Sequence, residues 1–207
     1  MQYDKQTILQ PDSEEAFNNL GAAYYLNSEF DKATEGWRSA LAIKPSANLY
    51  SNLGSSLFFS KKFAQAAEMY RQAVAFNKGD FVLKGNLADA LKYVEKQQER
   101  SKQLFLEAFV QAKELEKVNP NDLMIKANLA RYSSELNQCQ QAQPYIQDIL
   151  TSSPEEPYIF YHLALTAKNC GDQASTIEFL EKTLALGYPK KLLSKDHQFK
   201  NYQQYIR

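Results

Sequence analysis

Glycine and proline are scarce in this chain, seven of each in 207 residues. That excludes collagen-like and low-complexity sequence, and it argues against a β-rich fold punctuated by many tight turns. Cysteine is scarcer still: Cys139 and Cys170 are the only two, and histidine is limited to His162 and His197. So small a set suggests neither a disulfide framework nor a metal site, and each cysteine is read as a small packing residue near a helix end. There is no glycine-rich phosphate loop and no Cys-His or Ser-His-Asp arrangement of recognisable spacing, so neither a cofactor nor catalysis is expected of this segment. Excess charge of either sign is also missing, because 24 basic residues balance 24 acidic ones. No global field therefore draws the chain to nucleic acid or an anionic membrane. No apolar run approaches the roughly 18 to 20 residues of a membrane span, and no signal peptide is read at the start. Unpaired cysteines and the lack of a targeting signal place the chain in the cytoplasm.

What the chain does have is an ordinary globular balance, 44% hydrophobic and 23% charged, with a spacing that repeats. From Phe17 to Pro45, Phe17, Leu20 and Tyr24 recur at intervals of three and four and share one helical face. Gly21 sits inside that stripe at a cost of about 1 kcal/mol relative to alanine, which close approach of a partner helix would explain. Ala33, Trp37 and Ala40 form one face of a second helix, and Pro45 ends the unit. Most of this set returns along the chain with a period of about 34 residues, as helix-turn-helix arrays do.

These residues resemble the tetratricopeptide repeat. The resemblance implies an all-α, right-handed solenoid of about five helical hairpins, assigned to residues 14–46, 47–80, 81–122, 123–156 and 157–186. The second keeps Tyr50, Leu53, Gly54, Ala66, Tyr70 and Ala73, and the third opens with Leu87 and Ala88. Its closing Pro120 arrives eight residues late, which predicts helices about two turns longer in all. The fourth keeps Leu129, Ala130, Ala142 and Pro154, with Pro144 expected in the first turn of its second helix. The fifth keeps Phe160, Leu163 and Ala164 and turns at Gly171. Residues 1–13 resemble the second helix of an earlier repeat, because Tyr3 and Pro11 stand as far apart as Trp37 and Pro45. The chain thus reads as cut from a longer protein. In residues 187–207 a C-terminal cap is expected, with Leu192, Leu193, Phe199, Tyr202 and Ile206 covering the last repeat. The long third hairpin and the tail GYPKKLLSKDHQFKNY resemble the C-terminal arrays of multidomain bacterial signalling proteins. There the array follows a serine/threonine kinase, adenylate cyclase or winged-helix domain. Those proteins carry Asp-Pro where Asp196 and His197 stand.

The polar constellation is Asn19, Asn52, Asn86 and Asn128, each immediately before its Leu-Gly or Leu-Ala pair, with His162 at the same place in the fifth repeat. Asparagine is a poor helix former, so its recurrence mid-helix calls for a reason. In the repeat family this position lines the concave surface. An amide that both donates and accepts can bind the backbone of an extended peptide, as the asparagine ladder of O-linked N-acetylglucosamine transferase does. The bland alternative is that the amides bond only to neighbouring helices or water. Tyr25, Phe58 and Tyr161 are the expected aromatic anchors beside the ladder, while Phe59 and Tyr93 are assigned to the core. The carboxylate clamp for acidic C-terminal tails is rejected, because its cations would fall at Asn18, Val82 and Asn86. The function implied is a scaffold that binds a protein or peptide partner. The alternatives are a regulatory domain acting on its own preceding domain, or a homodimer through an open N-terminal face bearing Tyr3, Ile8 and Leu9.

Overall fold

A computed structural model of the chain describes residues 13–206. Tyr3, Ile8 and Leu9, and the half repeat they belong to, lie outside those residues. The molecule is all helical in its described part and divides into two compact units, Met1–Ser101 and Lys102–Arg207.

In the first unit α1 (Glu14–Leu26) pairs with α2 (Phe30–Ile43), and α3 (Ala47–Phe59) pairs with α4 (Phe63–Phe76); α5 (Phe81–Leu91) follows. Each first helix starts at a side-chain cap. Ser13 accepts from Ala16 N, Ser46 from Leu49 N, and Asp80 from Val82 N and Leu83 N. The second helices α2 and α4 have no such cap and open on buried or half-buried phenylalanines instead. Packing against the preceding helix therefore fixes where they start. Helix α2 packs on α3 as well as on α1, and α4 packs on α5 as well as on α3. Glycine makes the tightest of these approaches possible. A Cβ on Gly36 would stand 3.0 Å from Gly21 N and 3.2 Å from Phe17 O, so α1 and α2 touch backbone to backbone there.

The eight-residue excess of the third hairpin is distributed differently from the expectation. Helix α5 has 11 residues, against 13 in α1 and α3. The connection 92–97 is twice as long as those at 27–29 and 60–62. The second helix, α6 (Gln98–Val118), has 21 residues against 14 in α2 and α4, two extra turns. The division between the two units falls inside α6, after Ser101.

The second unit continues with α7 (Leu123–Glu135), α8 (Cys139–Thr151), α9 (Pro157–Asn169) and α10 (Gln173–Ala185). The short α11 (Lys190–Leu193) and a 3-10 segment, His197–Tyr205, close the chain. Here the packing changes: besides its partner α10, α9 lies against α7 of the preceding hairpin and only lightly against α8. Pro144 is the sixth residue of α8 rather than part of its first turn, because that helix already begins at Cys139. At the end of the chain Leu192, Leu193, Phe199 and Ile206 are all buried. The tail thus buries its own apolar side chains against the end of the chain's last hairpin, where Phe199 meets Tyr161.

Every hairpin turn holds one residue in the left-handed region: Ser28, Lys61, Lys96, Asn137 and Gly171, with φ between 60° and 76°. Only one of the five is glycine, so the other four turns carry backbone strain.

The reading of the cysteines as unpaired is overturned. Cys139 and Cys170 form a disulfide, with their Cα atoms 5.8 Å apart. Thirty-one positions separate them in sequence, and only the stacking of two hairpins brings them together. The ground for placing the chain in a reducing compartment goes with it.

Candidate functional site

The asparagines before the Leu-Gly or Leu-Ala pairs divide by unit. Asn19, Asn52 and Asn86, on α1, α3 and α5, are each half-buried with access to solvent. Asn52 donates to Asn18 Oδ1 at 3.4 Å, a long bond, and the same oxygen accepts from Trp37 Nε1 at 3.0 Å. In the sequence Asn18 stands out only as a missing cation; its role as the link between hairpins one and two depends on their stacking. Asn128 differs. It is only 2% exposed and donates to Met124 O in its own helix at 2.9 Å, while its Oδ1 is buried without a hydrogen-bond partner. The expectation that it faces a ligand is corrected, because α7 is enveloped over most of its circumference, from Ile125 to Ser134.

His162 occupies the ladder position on α9, yet its Nδ1 is closed off without a hydrogen-bond partner. Burial, and then the charge of nearby Arg131, push its pKa down to about 3, so the ring is neutral at physiological pH. Arg131 itself is 3% exposed and lies over the rings of Tyr132 and Phe105, at 4.9 and 5.8 Å. A half-buried imidazole that stays neutral beside a fixed cation is a packing element rather than a proton carrier.

The aromatic anchors are joints. Tyr25, Phe30 and Phe59 form a triangle with ring centroids 5.5 to 5.8 Å apart. Phe58, Phe63 and Tyr93 form a second, with separations of 4.6 to 6.0 Å. In each, the last-turn ring of a first helix meets the opening ring of its second helix and a ring from the next hairpin. Phe58 is 5% exposed and Tyr93 37%, so the assignment of Phe58 to the groove wall and Tyr93 to the core is reversed. Tyr161 belongs to the tail contact. Its hydroxyl donates to Asp196 Oδ2 at 2.7 Å and accepts from Gln198 Nε2 at 3.2 Å, and its ring stacks on Tyr188 at 5.4 Å. Asp196 is 1% exposed and also caps the 3-10 segment through Gln198 N.

These hairpins can be compared with known proteins. The tetratricopeptide repeat profile matches residues 46–78, the hairpin made by α3 and α4. The fold as a whole is similar to TTC0263, a thermophilic TPR protein of Thermus thermophilus. The TM-score is 0.64 at 20% identity, covering 94% of this chain and 99% of that one. The chain has a tetratricopeptide-repeat fold. PilW, described as a type IV pilus biogenesis factor, is similar with a TM-score of 0.55 at 19% identity, over 93% of this chain and 91% of its own. YrrB, described as a TPR protein with an unusual peptide-binding site, gives 0.51 at 15% identity, over 98% and 97%. No curated protein sequence matches the chain.

Tetratricopeptide-repeat proteins are generally non-enzymatic scaffolds for protein partners. Among the described residues no group of three or more histidines, cysteines or carboxylates could hold a metal ion. No described helix is long and apolar enough to cross a membrane. In the first unit the first-helix amides Asn19, Asn52 and Asn86 stay half-buried. Two clefts also open in this unit, one of about 490 Å³ lined by Ser28, Phe30, Ser60 and Lys62 among others, and one of about 420 Å³ lined by Phe17, Leu20, Tyr24 and Gly36 among others.

Proposed function

We propose that the chain is a protein-interaction module that takes an extended peptide segment of a partner along the first helices of its first three repeats. Asn19, Asn52 and Asn86 bind the peptide backbone. The observation that carries this reading is the contrast between units. The three amides of the first unit are half-buried with access to solvent, whereas Asn128 is buried, and His162, half-buried like them, has its Nδ1 closed off. Backbone recognition suits the residue type, since each amide offers a donor and an acceptor to a peptide unit and asks nothing of the side chains between. The long Asn52–Asn18 bond is readily exchanged for one to a ligand. That YrrB is described as having a peptide-binding site lends support. In the larger signalling protein that the tail resembles, the same face would hold a segment of another component.

Binding of an unstructured peptide library, read by fluorescence anisotropy, tests the proposal. Peptides that bind should tolerate side-chain substitution but lose affinity on backbone N-methylation. Changing Asn19, Asn52 and Asn86 together to alanine should weaken binding at least tenfold, roughly 1.4 kcal/mol, with helicity unchanged. Binding unaffected by either change would refute it. The alternative, a regulatory domain that contacts its own preceding domain, predicts that no free peptide binds at all.

A further inference from the structure

The aromatic triangles have a counterpart in the second unit that contains no ring. In the first unit the joint ring of each first helix is followed five residues later by the phenylalanine that opens the second helix: Tyr25 and Phe30, then Phe58 and Phe63. The turn residue in the left-handed region lies three after the first ring, at Ser28 and Lys61. The same register in the fourth hairpin gives Ser134, Asn137 as its left-handed turn residue, and Cys139 as the residue that opens α8. The partner position on the next hairpin, filled by Phe59 and Tyr93 in the first unit, is Asn169, followed by Cys170. Asn169 donates to Ser134 Oγ at 3.1 Å and to Glu135 Oε1 at 2.8 Å. Cys139 is bonded to Cys170. Where two joints are built of rings in contact, this one is built of two hydrogen bonds and a disulfide.

The surroundings show what the bond has to hold. Of the two helices of the preceding hairpin, α9 packs on α7 and only lightly on α8. At the far end of α8 a cleft of about 620 Å³ separates the two hairpins, lined by Leu150, Pro154, Phe160, Phe179 and Lys182 among others. Both cysteines are half-buried and so within reach of thiols in solution.

We propose that Cys139 and Cys170 form a redox site, at which thiol–disulfide exchange decides whether α8 is fastened to the fifth hairpin. Formation balances as two exchanges. The thiolate of one cysteine attacks an oxidant disulfide and expels one thiol, leaving a mixed disulfide. The second cysteine attacks that bond, closing Cys139–Cys170 and expelling the second thiol. The two protons of the cysteines end on the two released thiols, and the two electrons reduce the oxidant. Small or protein disulfides of an oxidising compartment supply it.

The full chain is equilibrated in glutathione buffers from fully reduced to fully oxidised. Free thiols are counted by maleimide-polyethylene glycol gel shift, and amide exchange is read by mass spectrometry. The bond closes a loop of 31 positions, for which the chain-entropy account gives a stabilisation of roughly a hundredfold or more. On reduction, two thiols should become reactive and protection in α8 should fall by at least tenfold, with α1–α4 unchanged; re-oxidation should restore both. The Cys139→Ser, Cys170→Ser double variant should show the reduced pattern in every buffer. If that variant does not fold, the wild-type titration still decides. Two reactive thiols across the whole range, or equal protection of α8 with and without the bond, would overturn the proposal.

Discussion

Replacing Gly21 by alanine sets two opposed effects against each other. As a helix residue alanine is favoured over glycine by about 1 kcal/mol. Against that, a Cβ at this position would stand 2.8 Å from Trp37 Nε1 and 2.9 Å from Cδ1 and Cε2, well inside the roughly 3.5 to 4.0 Å of an ordinary carbon contact. The indole cannot step aside easily. It is 2% exposed, its Nε1 donates to Asn18 Oδ1 at 3.0 Å, and Tyr25 lies 5.7 Å away. Overpacking of this kind costs about 1 to 3 kcal/mol, and loosening the indole hydrogen bond adds about 1 more. The net expectation is destabilisation by about 1 to 3 kcal/mol, or roughly 2–4 °C in Tm per kcal/mol for a chain of this length. Thermal and urea unfolding followed by circular dichroism measure it. Fluorescence of Trp37, the sole tryptophan, reports whether the ring has been displaced toward water. Gly79→Ala is the control, because its nearest neighbour would be Asn77 Oδ1 at 3.7 Å; it should change stability by less than about 0.5 kcal/mol. An unchanged or raised Tm for Gly21→Ala, with unshifted fluorescence, would refute the close-approach argument.

Acid titration should expose His162. The unfolded chain takes up a proton near pH 6.5, while the folded ring does so only near 3. Its contribution is therefore complete above 6.5 and is lost as pH falls through that window, by about 1.4 kcal/mol per unit. The difference in stability between wild type and His162→Gln, measured by urea unfolding from pH 7 to 4, should shrink accordingly, and a constant difference would exclude a buried neutral ring. Ser28→Gly should stabilise by about 0.5 to 1 kcal/mol, because it relieves a left-handed residue and removes a buried hydroxyl with no hydrogen-bond partner. Gly171→Ala, where nothing lies within 4 Å of the added carbon, should cost about 1 kcal/mol from backbone strain alone. Reversal of either sign in thermal melts of these two variants would contradict the turn geometry.

Sequence and structure divide the credit along a physical line. Hairpin number and order were legible because a repeat writes its own packing code locally. Gly21 and Gly54 sit where Trp37 and Tyr70 press against them, and helix periodicity shows on one strand of text. Polar recurrence was legible too, but exposure was not. Asn86 and Asn128 read alike, and only the different enclosure of α5 and α7 separates an accessible amide from a buried one. The same holds for Phe58 and Tyr93, whose burial is decided by which ring of the triangle faces inward.

By itself the sequence determined an all-helical chain of tandem hairpins and which small residues let the helices meet, since these depend on neighbours three, four or about 34 positions away. Tertiary structure alone decided that Cys139 meets Cys170, that ring joints give way to a covalent one in the second unit, and that Tyr161 holds the tail. Those outcomes depend on how one hairpin is set upon the next. That arrangement follows from the summed fit of many side chains, which no single spacing records.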